Sequence, residues 1–135
     1  MTRPVQALVA VAIFTLWSDA SWSECAEQTL DEQIERVDTI VFAVLVEAHI
    51  EDEEFRRASA TFRVHEVLKG AVDDEFVLKT SANHLTGTGV GLLIGTHYLL
   101  FFNSDIMGFG RCGGSGRAKV ERIDEVRRRI KGEIE

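Results

Sequence analysis

The chain has 135 residues and a mass of 15.1 kDa, with 45% hydrophobic and 27% charged residues. This length supports one globular domain with its own core and is too short for two. The 15 Lys and Arg residues against 22 Asp and Glu residues give a formal net charge of -7 and a pI near 5.1. Such an acidic chain is poorly suited to neutralise phosphates or to dock on anionic lipid, so we expect no nucleic acid among its partners.

Residues 1–23 have the three-part layout of a secretory signal peptide. Arg3 supplies a positive charge near the start, the stretch from Val5 to Trp17 is largely apolar, and a short polar stretch follows it. The apolar run is shorter than the roughly 18 residues or more that a membrane-spanning helix needs. We therefore expect a secreted or periplasmic protein without a membrane span.

Small residues mark the expected cleavage point. Ser21 and Ser23 stand where a signal peptidase inspects its substrate, which predicts cleavage between Ser23 and Glu24. A lipoprotein would need its cysteine directly after a small residue, whereas Cys25 follows a glutamate. The mature protein is then a single domain over residues 24–135 without a lipid anchor.

Two cysteines, Cys25 and Cys112, lie near the two ends of that domain. In an oxidising compartment an even, widely spaced pair most simply forms one disulfide. The alternative is two free thiols at a metal or redox site. It is less favoured because the chain has no CxxC motif and no histidine pair close to either cysteine.

The hydrophobic pattern predicts a helix at each end of the mature chain and short strands between them. Thr29 and Glu32 have the spacing of a capping box, which predicts a helix from about Thr29 to Val37. From Val120 the apolar residues recur at helical intervals, which predicts a C-terminal amphipathic helix whose apolar stripe packs on the sheet. The stripe comprises Val120, Ile123, Val126, Ile130 and Ile134.

Continuous apolar runs, alternation of apolar and polar residues, and a cluster of glycines together predict five strands. They are Ile40–Val46, a strand from Ala60 with a bulge near His65-Glu66 that Lys69-Gly70 closes, Glu75–Thr80, His97–Phe102, and a bent strand or bulge-rich turn among the glycines around Cys112. The region from Ser81 to Gly95 is expected to be a loop. Five short strands without βαβ alternation favour a mainly β fold, a small closed or partly open antiparallel barrel.

Four motifs in this order resemble the netrin-like domain family, the OB-fold module found in the tissue inhibitors of metalloproteinases. They are Val41-Phe42, Phe62-x-Val64-x-x-Val67-x-Lys69-Gly70, Glu75-Phe76-Val77, and Gly89-x-x-Leu92-x-x-Gly95-x-x-Tyr98-Leu99-Leu100. The resemblance covers residues 25–112 and implies a five-stranded OB-fold barrel.

The departures from the family are informative. The inhibitors begin with Cys-x-Cys, whose first cysteine chelates the protease zinc, and the matching triplet here is Ser23-Glu24-Cys25. That first cysteine pairs in the family with a cysteine directly before the glycine of the fourth-strand motif, where this chain has Thr88. Both partners of one family disulfide are absent, and both partners of the other, Cys25 and Cys112, remain. The resemblance therefore implies the disulfide but removes the zinc-chelating group.

No motif in the sequence predicts a metal or cofactor site. Gly87–Gly91 is not followed by the amphipathic helix and lysine of a phosphate-binding loop, so we prefer a flexible loop. The acidic run Glu51–Glu54 lacks the spacing of a calcium loop, so we prefer a solvated hairpin tip. The histidines have no HxH or HxxxH spacing, so we prefer surface or strand-edge roles over metal ligation. They are His49, His65, His84 and His97.

No catalytic constellation is visible either. The loop serines Ser81, Ser104 and Ser115 do not lie in a Gly-x-Ser-x-Gly elbow, and no cysteine is expected to stay free as a nucleophile. The sequence thus favours an exported, non-enzymatic binding module whose partner is another exported or cell-surface protein. The alternative is a protease inhibitor that acts without N-terminal zinc chelation.

Overall fold

A computed structural model of the protein describes residues 27–84, 91–110 and 112–132. The signal peptide, its cleavage point and Cys25 lie outside these residues, so their assignments stay predictions. The elements are α1 (Leu30–Arg36), β1 (Thr39–Asp52), β2 (Arg57–Lys69), β3 (Glu75–Ser81), a 3-10 turn (Ala82–His84), β4 (His97–Phe102), β5 (Gly116–Arg117) and α2 (Val120–Ile130).

The strands form one antiparallel sheet in the order β3-β2-β1-β4-β5. The predicted mainly β fold, with five strands and a helix before and after them, is confirmed. The predicted bounds of β4 match the observed ones, and β3 is one residue longer than predicted. The first strand continues past Val46 to Asp52 because β2 pairs with it along this extension, where Ile50 opposes Ala58 and Asp52 opposes Arg57.

The bulge predicted near His65-Glu66 is confirmed. Phe42 of β1 opposes Glu66 and Ala43 opposes Val64, so His65 is the extra residue on β2. A bulge shifts the alternation of side chains along its strand. As a result His65 contacts the ring of Phe42, and the neighbouring Glu66 reaches Arg127 of α2.

The sheet has an apolar core on each face, and β1 contributes to both. Val41, Ala43 and Leu45 enter the larger core, whereas Ile40 belongs to the smaller one beneath α1 and α2. The two buried faces predicted for this strand are therefore confirmed. The larger core also includes Ala60, Phe62, Phe76, Leu78, Leu92, Tyr98, Leu100, Phe102 and Phe109, and the smaller includes Ile34, Leu99, Phe101, Ile123 and Val126.

The apolar stripe of α2 is narrower than predicted. Ile123 and Val126 are buried and Ile130 packs beside them, but Val120 is 70% exposed. Residues three apart lie about 60° apart around a helix, so Val120 and Val126 differ by about 120° and cannot both face the sheet. The prediction for Val120 is therefore wrong, and Ile134 lies outside the described residues.

The paired strands do not close into a barrel over the described part of the chain. The segment after β4 nevertheless returns to the outer edge of β3. The Lys79 amide donates to the Met107 carbonyl oxygen at 2.9 Å, and the Phe109 amide donates to the Lys79 carbonyl oxygen at 3.0 Å. This contact is an isolated parallel bridge between Lys79 and Gly108.

Candidate interaction surface

Three connecting segments are joined by backbone hydrogen bonds, and the third of them lies beside Leu45 in the middle of β1. They are the turn 53–56 between β1 and β2, the 3-10 turn after β3, and the segment 91–96 before β4. The 3-10 turn joins the other two: the Ala82 amide donates to the Arg56 carbonyl oxygen at 2.7 Å, and the His84 carbonyl oxygen accepts from the Leu92 amide at 2.8 Å. We call this region the hairpin end.

The tip of the hairpin is held by local hydrogen bonds. The Asp52 carboxylate accepts from the Phe55 amide at 3.2 Å, and Arg56 adopts a left-handed conformation with φ of 53°. The Arg56 guanidinium also donates to the Asn83 side-chain oxygen at 3.0 Å. The acidic residues of the turn, Glu53 and Glu54, are exposed, as expected for a solvated tip.

Hydrogen bonds fix the backbone of the segment before β4 to the sheet. The Tyr98 hydroxyl donates to the Gly91 carbonyl oxygen at 2.8 Å and accepts from the Leu93 amide at 2.8 Å. The Gly95 amide donates to the Leu45 carbonyl oxygen at 2.8 Å. The backbone of this segment is therefore ordered by the sheet, although Leu93 and Ile94 point their side chains into solvent.

Three large apolar side chains are exposed at the hairpin end. Phe55 is 62% exposed, Leu93 54% and Ile94 66%. The Arg57 guanidinium lies 5.1 Å from the centre of the Phe55 ring and covers part of it. Single exposed apolar residues are common on any protein, whereas contiguous exposed apolar patches are typical of surfaces that bind other proteins.

A polar cluster spans β1, β2 and β3 on one face of the sheet. His49, Ser59 and Lys79 oppose one another in register on β1, β2 and β3. The Glu51 carboxylate accepts hydrogen bonds from Lys79 Nζ at 2.6 Å and from the Ser59 hydroxyl, and His49 Nε2 lies 3.9 Å from it. The bonds from Lys79 and Ser59 hold the pKa of Glu51 below its ordinary value of 4.5.

The hydrogen bonds of this cluster connect neighbouring strands, and its groups are not arranged as a nucleophile and a general base. Ser59 is only 2% exposed, so a substrate cannot reach its hydroxyl. Its proton is already donated to Glu51, whose lowered pKa makes that carboxylate a weak base. The sequence does not predict this cluster because its members are far apart along the chain, and only the strand register brings them together.

The three loop serines that were candidate nucleophiles make structural contacts. The Ser115 hydroxyl accepts from the Phe101 amide at 2.8 Å, and the Ser104 hydroxyl donates to Asp38 at 2.8 Å. Ser81 accepts from the Asn83 amide at 3.2 Å. Each of these hydroxyls thus supports a neighbouring backbone or carboxylate.

The predicted disulfide and the glycine loop fall partly outside the described residues. Cys112 lies in an exposed turn before β5, but Cys25 is not described, so their bond stays a prediction. Residues 85–90, which hold most of the Gly87–Gly91 stretch, are not described either.

The four histidines have different surroundings. His84 is 3% exposed and stacks on Phe109 with ring centres 5.6 Å apart, so its predicted surface role is wrong. His65 and His97, which the sequence did not connect, come together with ring centres 5.9 Å apart. Across residues 27–84, 91–110 and 112–132, no three His, Cys, Asp or Glu side chains are grouped to hold a metal.

None of the helices among the described residues is long and apolar enough to cross a membrane. No protein-family model matches the chain, and no curated protein matches it.

Proposed function

We propose that the protein is an exported, non-enzymatic binding module, built on a netrin-like OB-fold barrel, that binds another exported protein through its hairpin end. The observation that carries this proposal is the exposure of Phe55, Leu93 and Ile94 on backbone segments that hydrogen bonds already hold in place. Such a surface loses little conformational freedom when it is covered, which favours binding.

Aromatic packing supports the barrel part of the proposal. The ring of Phe62 on β2 lies 5.8 Å from Phe76 of β3, 6.1 Å from Tyr98 of β4 and 6.3 Å from Phe109. One ring therefore contacts three other parts of the chain across the larger core. A flat sheet does not gather its strands around one side chain in this way, whereas a curled, partly open barrel does.

Return of the chain to β3 supports the same architecture. The Lys79–Gly108 bridge places the segment after β4 beside the strand at the opposite edge of the sheet. The Thr80 hydroxyl adds a bond to the Phe109 carbonyl oxygen at 2.9 Å. These bonds hold the segment after β4 against β3, one of the two edge strands that a complete barrel would bring together.

Composition of the hairpin end supports protein binding. Binding energy at protein interfaces is concentrated in a few aromatic and aliphatic anchors, and a charged rim surrounds them. Phe55 is an aromatic anchor of this kind, and Glu53, Glu54 and Arg56 flank it with both signs of charge. A nucleic-acid surface would instead need a basic groove, which the net charge of -7 does not favour.

Cross-linking capture tests the proposal. The mature protein is incubated with the medium or envelope of its own exporting cell, and captured proteins are compared between a triple variant, F55S/L93S/I94S, and the unmodified chain. We expect the triple variant to recover its partner at least about tenfold less, since anchor residues typically contribute 2 kcal/mol or more each.

Matched controls come from exposed apolar residues elsewhere. Ile106 and Val120 are both 70% exposed and lie on other segments of the chain, so the double variant I106S/V120S removes exposed apolar side chains outside the hairpin end. It is expected to bind as the unmodified chain does. Equal capture by the triple variant and the unmodified chain, with melting temperatures preserved, overturns the proposed surface.

A further inference from the structure

Two exposed histidines pack against the same apolar ring on the α2 side of the sheet. His65 on β2 and His97 on β4 have ring centres 5.9 Å apart. The ring of Phe42, on the strand between them, lies 4.7 Å from His65 and 5.4 Å from His97. The three rings therefore form a compact group in which the two imidazoles are the solvent-facing members.

The strand arrangement alone does not bring these rings so close. Strands β2 and β4 are separated by β1, which places their backbones about 9–10 Å apart. The bulge makes His65 the extra residue beside Phe42, and His97 opposes Val44, two residues further along β1. Both rings thus lean over the middle strand towards each other, and the bulge aims one of them.

A separation of 5.9 Å is within the range for two imidazoles that share one metal ion, and the planes of the two rings are 88° apart. A metal-nitrogen bond of about 2.1 Å, with roughly 1.1 Å more to the ring centre, puts each ring centre about 3.2 Å from the ion. The two centres are then about 5.2 Å apart at a tetrahedral angle and about 6.4 Å apart when the ligands are opposite. The observed 5.9 Å falls between these limits.

We propose that His65 and His97 together bind one late first-row divalent metal ion, such as Zn²⁺ or Cu²⁺, with water as the remaining ligands. Imidazole nitrogen is a preferred ligand for these ions, whereas Mg²⁺ and Ca²⁺ prefer oxygen. By the Irving–Williams order the site binds Cu²⁺ more tightly than Zn²⁺. Two protein ligands make it an open, readily exchanging site.

The neighbouring charges limit the protein ligands to these two histidines. Glu66 follows His65, but both of its carboxylate oxygens accept hydrogen bonds from Arg127, at 2.6 and 3.1 Å. Asp124 also accepts from Arg127, at 2.7 Å. These carboxylates are therefore occupied, and they neutralise the guanidinium that would otherwise repel a cation near His65.

A Zn²⁺ titration of the mature protein tests the site. The ring resonances of the histidines in NMR spectra report the binding. We expect the signals of His65 and His97 to change together and to saturate at one ion per chain, while equimolar Mg²⁺ leaves them unchanged. Independent changes of the two signals, or none, would show that the rings are in contact only for packing and would overturn the proposal.

Substitutions locate the ligands. H65A and H97A are each expected to weaken Zn²⁺ binding by about tenfold or more, because each removes one arm of a chelate. H49A is the matched control, since His49 is an exposed strand histidine near Glu51 and away from the pair. An H49A loss as large as the others contradicts the assignment, as does unchanged affinity in H65A or H97A.

Discussion

Arg127 of α2 grips the carboxylate of Glu66 at the bulge of β2 with two hydrogen bonds, from Nη2 at 2.6 Å and from Nε at 3.1 Å. The arrangement is bidentate, which adds geometric definition to the ion pair. Hydrogen bonds from Arg127 hold the pKa of Glu66 below its ordinary value of 4.5 and raise the pKa of Arg127. A bulge in the sheet and the position of a helix are thus connected by a single residue pair.

This pair predicts a specific acid sensitivity. Because the folded pKa of Glu66 is lowered, its stabilising contribution is present above the unfolded value and is lost as pH falls through the folded pKa. E66Q should lower the free energy of unfolding by at most about 1 kcal/mol near neutral pH, since both side chains are about one-third exposed. The difference from the unmodified chain should vanish in acid.

Denaturant unfolding from about pH 7 down to about pH 2 measures this difference. E75Q is the control, because Glu75 meets Arg63 only at 3.7 Å and both side chains are more than half exposed. We expect E75Q to have a smaller effect than E66Q at neutral pH. A difference between E66Q and the unmodified chain that grows on acidification contradicts the role given to Glu66.

Gly70 is expected to be required by the turn after β2. It has φ of 79°, and a Cβ added there would overlap the Asp38 carbonyl oxygen and lie 3.0 Å from Thr39 Oγ1. G70A should therefore destabilise the fold by about 2 kcal/mol or more. G110A is the control, because a Cβ at Gly110 meets nothing within 4 Å. Thermal unfolding distinguishes the two, and equal melting temperatures would contradict this account.

The packing face of α2 is a third testable feature. I123A should lower the free energy of unfolding by about 2–5 kcal/mol, because Ile123 is 6% exposed within the smaller core. V120A should change it by no more than about 0.5 kcal/mol, since Val120 is 70% exposed. Chemical denaturation measures both. A V120A effect as large as that of I123A would restore the wider stripe that the sequence predicts.

Local signals account for the parts of the fold that the sequence predicts well. The N-cap bond of the predicted capping box is present, since the Glu32 amide donates to Thr29 Oγ1 at 3.1 Å. A continuous apolar run locates β4, and the change of phase after Val64 locates the bulge. Each of these features is decided by neighbouring residues, so a short window of sequence contains the information.

Pairing accounts for the parts that the sequence misses. The far half of β1 is mostly exposed and ends in acidic residues, so its strand conformation depends on the register with β2. Phe55 stands in an acidic stretch, and this lone apolar residue in a charged turn is the one local signal of the candidate surface. The pairing of His65 with His97 depends on the order of three strands, which no local pattern encodes.

The disulfide between Cys25 and Cys112 remains a prediction with a direct measurement. Non-reducing peptide mapping of the natively exported protein should recover the two cysteine peptides cross-linked. Reduction should lower the melting temperature without unfolding the chain, because the larger core around Phe62 and Tyr98 buries most of the apolar surface. The control is the same map after reduction and alkylation. Two thiols that alkylate without prior reduction would contradict the bond.

The last prediction concerns zinc metalloproteinases, which this protein should not inhibit in the manner of the netrin-like inhibitors. That inhibition needs an N-terminal cysteine whose amino nitrogen and carbonyl oxygen take the open position of the zinc. With cleavage after Ser23, the mature chain begins with Glu24, and Cys25 is its second residue. Inhibition titrations with protein of mass-verified N-terminus should show no tight stoichiometric binding. The matched comparison is a variant that begins at residue 23 and carries S23C/T88C, which restores the missing cysteine pair at the N-terminus. Tight inhibition by the unmodified chain that disappears when its amino group is blocked would contradict this prediction and favour an N-terminally chelating inhibitor over the binding module.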